Sequence, residues 1–444
     1  MTRGQEAAMA GVAVLGVKRG EPTLVSPASE TKSGLYYLSN LDQNIAVIVQ
    51  TVYFFPVAAA GAGAGVDIGA GEVLRESLSR VLVHYYPLAG RLAVGEEGKL
   101  IVDCTGEGAV FVDAVAGCEL ADVGGDVTGT DSGVLGELVY TVTKFKCGGF
   151  VLGLAMNHCM FDGVAAMQFV SSWAEITRSP SPSPPLSLPP SLDRSVLRPR
   201  HPPLIQFPHH EFAQIDDDSS PFFSGAGDPI LHRSFHFTPN SISRIKSLVS
   251  GDELGEFGDR RPTTFEALAG FVWSARTAAV GIPAASTTKL LFAVDGRPRF
   301  TSPPLPEGYS GNAIVLTSAA CAADELTSSL SRAAAMVRAA AEKVDDAYMR
   351  SAVDYIEAAA AATGGRPRRP SLASTLLITA WSRLPFAAAD FGWGPPSAYG
   401  PAALPEREVA LFLSAGGGGV RVLLGLPAAA MAEFELLVDE VIVD

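Results

Sequence analysis

The sequence predicts a mixed α/β protein built in two halves. Stretches of strand and helix character alternate along the whole chain, and a proline-rich connection interrupts them near the middle. The chain also has 444 residues, more than one hydrophobic core comfortably serves. Hydrophobic residues make up 48% of it and charged ones 18%, enough apolar surface to offset chain entropy, so a globular body is expected.

The elements follow in order. "AAMAGVAVLGV" reads as a buried strand and not as a targeting segment, because Lys18 and Arg19 follow at once and no cleavage site precedes them. Residues 45–66 are apolar enough to imitate a membrane span, yet Gln50, Thr51 and Pro56 interrupt them; a strand followed by a surface loop is the better reading. In "LRESLSRVLVHYYPLAG", Leu74, Leu78, Val81, Leu82 and Tyr85 recur at helical spacing as far as Pro87. "KLIVDC" and "GFVLGLAMN" read as apolar strands, and Val164, Met167, Val170 and Ala174 then repeat as a helix would.

Repeated prolines from Ser179 onward forbid helix interiors and central strands. The expected division is therefore an N-terminal domain at 1–178, a crossover loop at 179–220 and a C-terminal domain at 221–444. In the second half, Thr263 and Glu266 stand at capping-box spacing before "TFEALAGFVWSAR". The alanine-rich residues 318–362 read mostly as helix, and "EVALFLSAGGGGVRVLLGL" as two strands joined at Gly416 to Gly419.

A net charge of -14 and the lack of any Lys/Arg run argue against a nucleic-acid partner. Five widely spaced cysteines without a CxxC, and no N-x-Ser/Thr sequon, favour reduced thiols and the cytoplasm. No transmembrane segment and no metal site are expected, since no His/Cys/Asp cluster has ligand spacing. His209 and His210 in "HHEFAQID" lack an aspartate four residues on and a helical context, so neither is a candidate.

The stretch "AMNHCMFDGVAAMQFV" places His158 at a strand-to-helix junction, where a side chain is held rigidly yet can still face a crevice. Asp162 stands just before the helix, where a carboxylate accepts from free N–H groups. Its reading is divided between this architectural role and direct help to the imidazole. His158 is either a satisfied core histidine or a general base. A base with no Ser or Cys partner would deprotonate a bound hydroxyl or amine, which then attacks an activated carbonyl such as a thioester.

A second stretch, "ITAWSRLPFAAADFGWGPP", bears on that choice. Together with "MNHCMFDG" it resembles the plant BAHD acyltransferases, whose hallmarks are an HxxxD segment and, nearer the C-terminus, a DFGWG segment. "LSNLDQN", "YYPLAGRL", "TTFEALAGFVW" and "VDGRPRFTSPPLPEGYSGNA" are similar to the same family, so the likeness spans nearly the whole chain. It implies two chloramphenicol-acetyltransferase-like domains of mixed sheet plus helices, with an active-site channel at their interface. It implies acyl-CoA as co-substrate, no permanently bound cofactor, a hydroxyl-bearing small-molecule acceptor and a monomer.

By resemblance His158 is the catalytic base, and Asp162 turns away to pair with Arg297 of "DGRPR". Asp390, Phe391, Gly392, Trp393 and Gly394 match DFGWG. That segment is usually credited with holding the fold, although its aspartate has also been called catalytic; a glycine-flanked aromatic beside a carboxylate reads better as a packed turn. Thr379 matches a position that faces the acceptor. Trp381 matches one near the carbonyl, where its indole N–H could steady an oxyanion, against an alternative of plain core packing.

The chain departs from many relatives in having Asn157 before His158 where they have two histidines, and Phe271 where they place a histidine. "GLYYLSNLDQNIAVIVQTVYFF" and "KCGGFVLGLAMNHCMFDG" look most like the branch that moves feruloyl or related hydroxycinnamoyl groups to ω-hydroxy fatty acids or fatty alcohols, in suberin and wax-phenolic synthesis. The alternatives are transfer to an amine or to a polar acceptor such as shikimate or quinate, for which Arg366, Arg368 and Arg369 offer a cationic cluster that reads equally as a solvated turn. A noncatalytic relative is a further alternative, opposed by the intact His158, Asp162 and Asp390.

Overall fold

The computed structural model describes residues 15–56, 69–124, 127–128, 132–181, 185–213, 229–251, 257, 260–362, 375–402 and 409–442. The chain divides into two compact units, each drawn from three stretches. The first comprises Met1–Ser195, Pro306–Asn312 and Leu384–Ala403; the second Val196–Leu305, Ala313–Arg383 and Leu404–Asp444.

The first unit is built on a six-stranded sheet, in the order Lys18–Arg19, Asp113–Val115, Val142–Lys144, Phe150–Asn157, Ile48–Phe55 and Ala398–Pro401. Its central pair is antiparallel, with Phe150 opposite Phe55 and Asn157 opposite Ile48. Because strand side chains alternate, Val52, Phe54 and Val151 meet Leu135, Leu138 and Phe145 on one face. Phe55 and Phe150 stack on the other, with centroids 4.7 Å apart.

Two helices, Ala70–His84 and Gly163–Arg178, pair through polar contacts as well as apolar ones. Trp173 Nε1 donates to Ser77 Oγ over 2.9 Å, and the Tyr85 and Ser172 hydroxyls lie 3.0 Å apart. Leu74, Leu78, Val81, Leu82 and Tyr85 are all buried, as the helical spacing predicts. Val164 differs: expected on the apolar stripe, it is exposed, and Ala165, Phe169 and Trp173 join Met167, Val170 and Ala174 in the interior instead.

The second unit carries a six-stranded mixed sheet, Ile230–Phe237, Val420–Pro427, Val409–Ser414, Thr375–Ala380, Thr287–Asp295 and Ile314–Ala322. Thr375–Ala380 runs parallel to both of its neighbours and the remaining pairs are antiparallel. The hairpin between Val409–Ser414 and Val420–Pro427 turns through Gly416, Gly417 and Gly418 at φ of 75°, 56° and 87°, a left-handed run that side chains resist.

Helix Thr264–Val280 starts on the expected capping box: Thr263 Oγ1 accepts from Glu266 N, and Glu266 Oε2 accepts from Thr263 N. Phe271 on this helix is buried edge-on against Phe237, with centroids 5.9 Å apart. Residues 318–322 end a strand, and helices Ala323–Ser328, Leu330–Glu342 and Asp346–Ala362 follow.

The observed units differ from the chain-order division at 178 and 221. Residues 384–403, expected in the C-terminal half, join the first unit, because Ala398–Pro401 hydrogen-bonds to Ile48–Phe55 and completes its sheet. The segment read as an N-terminal buried strand lies outside the described residues up to 14; Leu15 is buried, and the first strand is Lys18–Arg19. The strand expected within 45–66 is Ile48–Phe55, and the loop after it lies mostly outside the described residues.

His209 proves central to the second unit's interior. Its Nδ1 lies 2.7 Å from Glu211 Oε1 and its Nε2 2.8 Å from Ser351 Oγ, while Tyr348 donates to Glu211 Oε2. All four side chains are buried, so this serine, histidine and carboxylate ties down the Pro-rich crossover and presents no catalytic face.

Candidate active site

His158 follows directly on strand Phe150–Asn157, and its N–H donates to Val47 O over 2.8 Å. Four residues later Asp162 caps helix Gly163–Arg178, its Oδ1 accepting from Ala165 N at 2.9 Å. Strand, turn and cap therefore clamp the backbone on both sides of the imidazole. The ring itself is only partly buried.

The side chain that orients the ring is Asn312, from the Pro306–Asn312 stretch of the same unit. Its Oδ1 lies 3.1 Å from His158 Nδ1, and its Nδ2 donates to His158 O and to Asp42 Oδ1, each over 2.8 Å. Both hydrogens of the amide nitrogen are thus committed to oxygens, so Asn312 Oδ1 can only accept. His158 Nδ1 must then carry a hydrogen, which leaves the lone pair of a neutral ring on Nε2. A general base needs that state.

Asn312 is in turn held by a buried ion pair. Asp42 Oδ1 also accepts from Asn312 N at 3.0 Å, and Asp42 Oδ2 accepts from Arg194 Nε at 3.1 Å. Ser39 and Asp42 form a capping box on the short helix Asn40–Gln43, so the carboxylate is fixed before it meets the arginine. The Arg194 guanidinium donates to Met160 O and lies against the rings of Tyr36 and Tyr309. A Cβ on Gly311 would fall 2.3 Å from Arg194 Cζ, so only glycine lets the Asn312 segment lie this close.

Burial works against the charge of Arg194, but Asp42 beside it, with Tyr309 and Tyr36, more than offsets this and raises its pKa. Burial also pushes the Tyr36 phenol up, against the opposing pull of Arg194. Next to the imidazole in sequence, the Cys159 thiol is buried and pushed up to about 12, by burial first and by Asp42 second. Such a thiol is not a nucleophile, so covalent catalysis through Cys159 is disfavoured.

The DFGWG segment forms a tight turn in this same unit. Asp390 Oδ1 accepts from Gly392 N and Gly394 N at 2.9 and 3.0 Å, with Gly392 at φ 108° and Gly394 at 87°. Phe391 is buried edge-on against Trp173 and Phe55, and the partly buried Trp393 meets Phe150 edge-on. Arg178 donates to Asp390 O. The turn is therefore fastened to the C-terminal end of the helix that Asp162 opens, and the 16 residues between those ends span about 24 Å.

The remaining expected residues lie in the second unit. Thr379 sits on strand Thr375–Ala380 opposite Leu411, and Trp381 packs against Leu411, Leu413 and Leu423. Arg297 Nη1 is 3.1 Å from Asp295 Oδ1. Arg366, Arg368 and Arg369 lie outside the described residues. Among the described residues no group of three His, Cys, Asp or Glu is arranged to hold a metal, and no helix is long and apolar enough to cross a membrane.

Sequence reasoning singled out none of Asp42, Arg194 and Asn312 individually. The S-x-x-D spacing of Ser39 and Asp42 was a usable signal for a cap. Arg194, inside the proline-rich crossover, gave none, and Asn312, 154 residues beyond His158, was marked only by its place in the family-like stretch "VDGRPRFTSPPLPEGYSGNA".

A family model described as the Transferase family matches residues 16–440. Omega-hydroxypalmitate O-feruloyl transferase of Arabidopsis thaliana is 51% identical over 95% of this chain and 92% of its own length. Fatty alcohol:caffeoyl-CoA acyltransferase of the same plant is 48% identical over 95% and 98%. Shikimate O-hydroxycinnamoyltransferase of Nicotiana tabacum is 33% identical over 94% and 97%. Among solved structures, vinorine synthase superposes with a TM-score of 0.73 at 22% identity, covering 96% of this chain and 98% of that one.

Proposed function

Because this chain belongs to that transferase family, the BAHD acyltransferases, and is an acyl-CoA-dependent O-acyltransferase, we propose that it moves a feruloyl-like hydroxycinnamoyl group from CoA to the hydroxyl of an ω-hydroxy fatty acid or fatty alcohol. The observation that carries the chemistry is the Asn312 Oδ1 contact to His158 Nδ1. Nε2 takes the hydroxyl proton, the alkoxide oxygen bonds to the thioester carbon, and the tetrahedral intermediate collapses as the C–S bond breaks. The imidazolium returns its proton to the departing CoA sulfur.

The acceptor class is supported by identity: relatives named for long-chain hydroxyl acceptors stand at 51% and 48%, and one named for shikimate at 33%. Thr379 and Trp381 keep within this reading the roles the resemblance implies, facing the acceptor and donating to the oxyanion, while Arg297 holds Asp295. The experiment crosses feruloyl-, coumaroyl-, acetyl- and malonyl-CoA with a fatty alcohol, an ω-hydroxy acid, shikimate and spermidine. Feruloyl esters of the first two acceptors are expected; products confined to shikimate or spermidine would overturn the acceptor assignment.

Asn312 acts in this reading as a positioning residue. Asn312→Ala is expected to lower kcat by about 10- to 100-fold, the usual cost of losing the group that orients a histidine, with KM for acyl-CoA little changed. A variant with unchanged kcat would remove Asn312 from the mechanism.

Asp390 is taken as structural, since its carboxylate is engaged by the backbone of its own turn. Asp390→Asn keeps one acceptor oxygen but loses charge. It is expected to lower the melting temperature while kcat of the folded fraction stays within about threefold of wild type, the scatter for a group that does no proton transfer. A kcat loss without a stability loss would reassign Asp390 to the chemistry.

A further inference from the structure

Behind the His158 strand the first unit has a half-open cavity of about 750 Å³, within the range of about 300–1,000 Å³ that binds small molecules. Its floor is made by Leu78 and Leu82 of one helix and Phe169 and Trp173 of the other, all buried. One wall is strand Phe150–Asn157. Val151 points into the core on the far face of the sheet, so alternation turns Leu152, Leu154 and Met156 toward the cavity.

The mouth is unusual for a soluble surface. Ile48, Leu92, Val110 and Tyr140 are 60%, 41%, 64% and 47% exposed, come from separate parts of the chain, and all line this one opening. Exposed apolar side chains are ordinarily scattered; gathered at a cavity they mark a binding site. Tyr140 is held there at φ 67°, a strained conformation for a non-glycine residue, with its hydroxyl accepting from Gln50 Nε2 at 2.9 Å.

The polar groups around the cavity already spend hydrogen bonds within the protein. Thr141 Oγ1 donates to Leu138 O, and Asn157 Oδ1 accepts from Cys159 N. Arg91, the one charged lining residue among the described residues, donates to Gly90 O and Gly108 O and pairs with Glu107. An anionic ligand would find a single cation already paired with Glu107, whereas a run of methylenes asks for no partner. The lining also reaches Asn157 and Met160, which bracket His158 in the chain.

We propose that this cavity of the first unit takes the alkyl chain of the acceptor, so that the chain's hydroxyl end lies toward His158. The inference rests on the acceptor class assigned above and adds where the chain goes and what selects its length. Each methylene that enters is worth roughly a fourfold gain in affinity. In the wild type, kcat/KM for feruloyl transfer should therefore climb by about that factor per methylene until the cavity is full.

Two measurements test it on the full chain. Leu154→Phe narrows the wall and Val110→Phe narrows the mouth at an exposed position, where misfolding is not expected. In both, the ratio of kcat/KM for a long over a short primary alcohol should fall at least tenfold, at an unchanged melting temperature. Separately, without CoA, a long-chain alcohol brominated along its chain should quench tryptophan fluorescence in the wild type but not in Trp173→Phe or Leu154→Phe. Wild-type-like chain-length ratios in both variants, or no quenching through Trp173, would overturn the proposal while leaving the transferase reading intact. Quenching through Trp173 with no transfer to any long-chain alcohol would uphold the cavity and sink the acceptor assignment.

Discussion

Replacing His158 with alanine is expected to lower kcat/KM for hydroxycinnamoyl transfer by about 10²- to 10⁴-fold at saturating acyl-CoA, the usual worth of a positioned general base. The fold should survive, because His158 is partly exposed and its backbone bonds to Val47 and Asn312 do not involve the ring. In the wild type the rate should fall on the acid side of the pH profile, since protonation removes the Nε2 lone pair on which the step depends. Steady-state kinetics with feruloyl-CoA across pH checks both. Near-wild-type turnover in His158→Ala, or an acid limb that persists in that variant, would show that another group takes the proton.

The second large effect is expected at Asp42 and Arg194, neither of which is a candidate for touching substrate. Both side chains are almost wholly buried, and each is the other's counter-charge. Asp42→Asn leaves a guanidinium without its carboxylate, and Arg194→Met leaves a carboxylate without its cation; each should cost about 3–5 kcal/mol, typical of breaking a buried pair from one side. The double variant removes both charges and should cost clearly less than the sum. Urea denaturation of the four proteins measures this coupling, and additive losses would mean that the pair does not act as a unit. Asp42→Asn should also slow turnover, because Asp42 Oδ1 accepts from two N–H groups of Asn312 and the amide that orients His158 would lose its anchor.

Local signals carried far in this chain. The capping residues Asp162 and Thr263, the buried stripe from Leu74 to Tyr85 and the glycine hairpin each depend on neighbours a few residues away, and the structure bears them out. Val164 failed for a local reason as well: Phe169 and Trp173 are large enough to draw the buried face of the helix toward themselves. His209 has nothing beside it in the sequence that resembles a site. Its partner Ser351 lies 142 residues away, and only folding makes that pair visible.

The sequence by itself determined the mixed α/β class and the family, and it singled out His158 as the candidate base, because periodicity, caps and motif order are written in short spans of chain. Only the tertiary structure decided which ring nitrogen is free, which arginine and carboxylate stand behind Asn312, that the DFGWG turn joins the first unit, and that an apolar cavity opens beside the His158 strand. The physical reason is distance along the chain. A hydrogen bond or a cavity wall is specified by groups that meet in space, and here those groups come from residues 42, 158, 194 and 312.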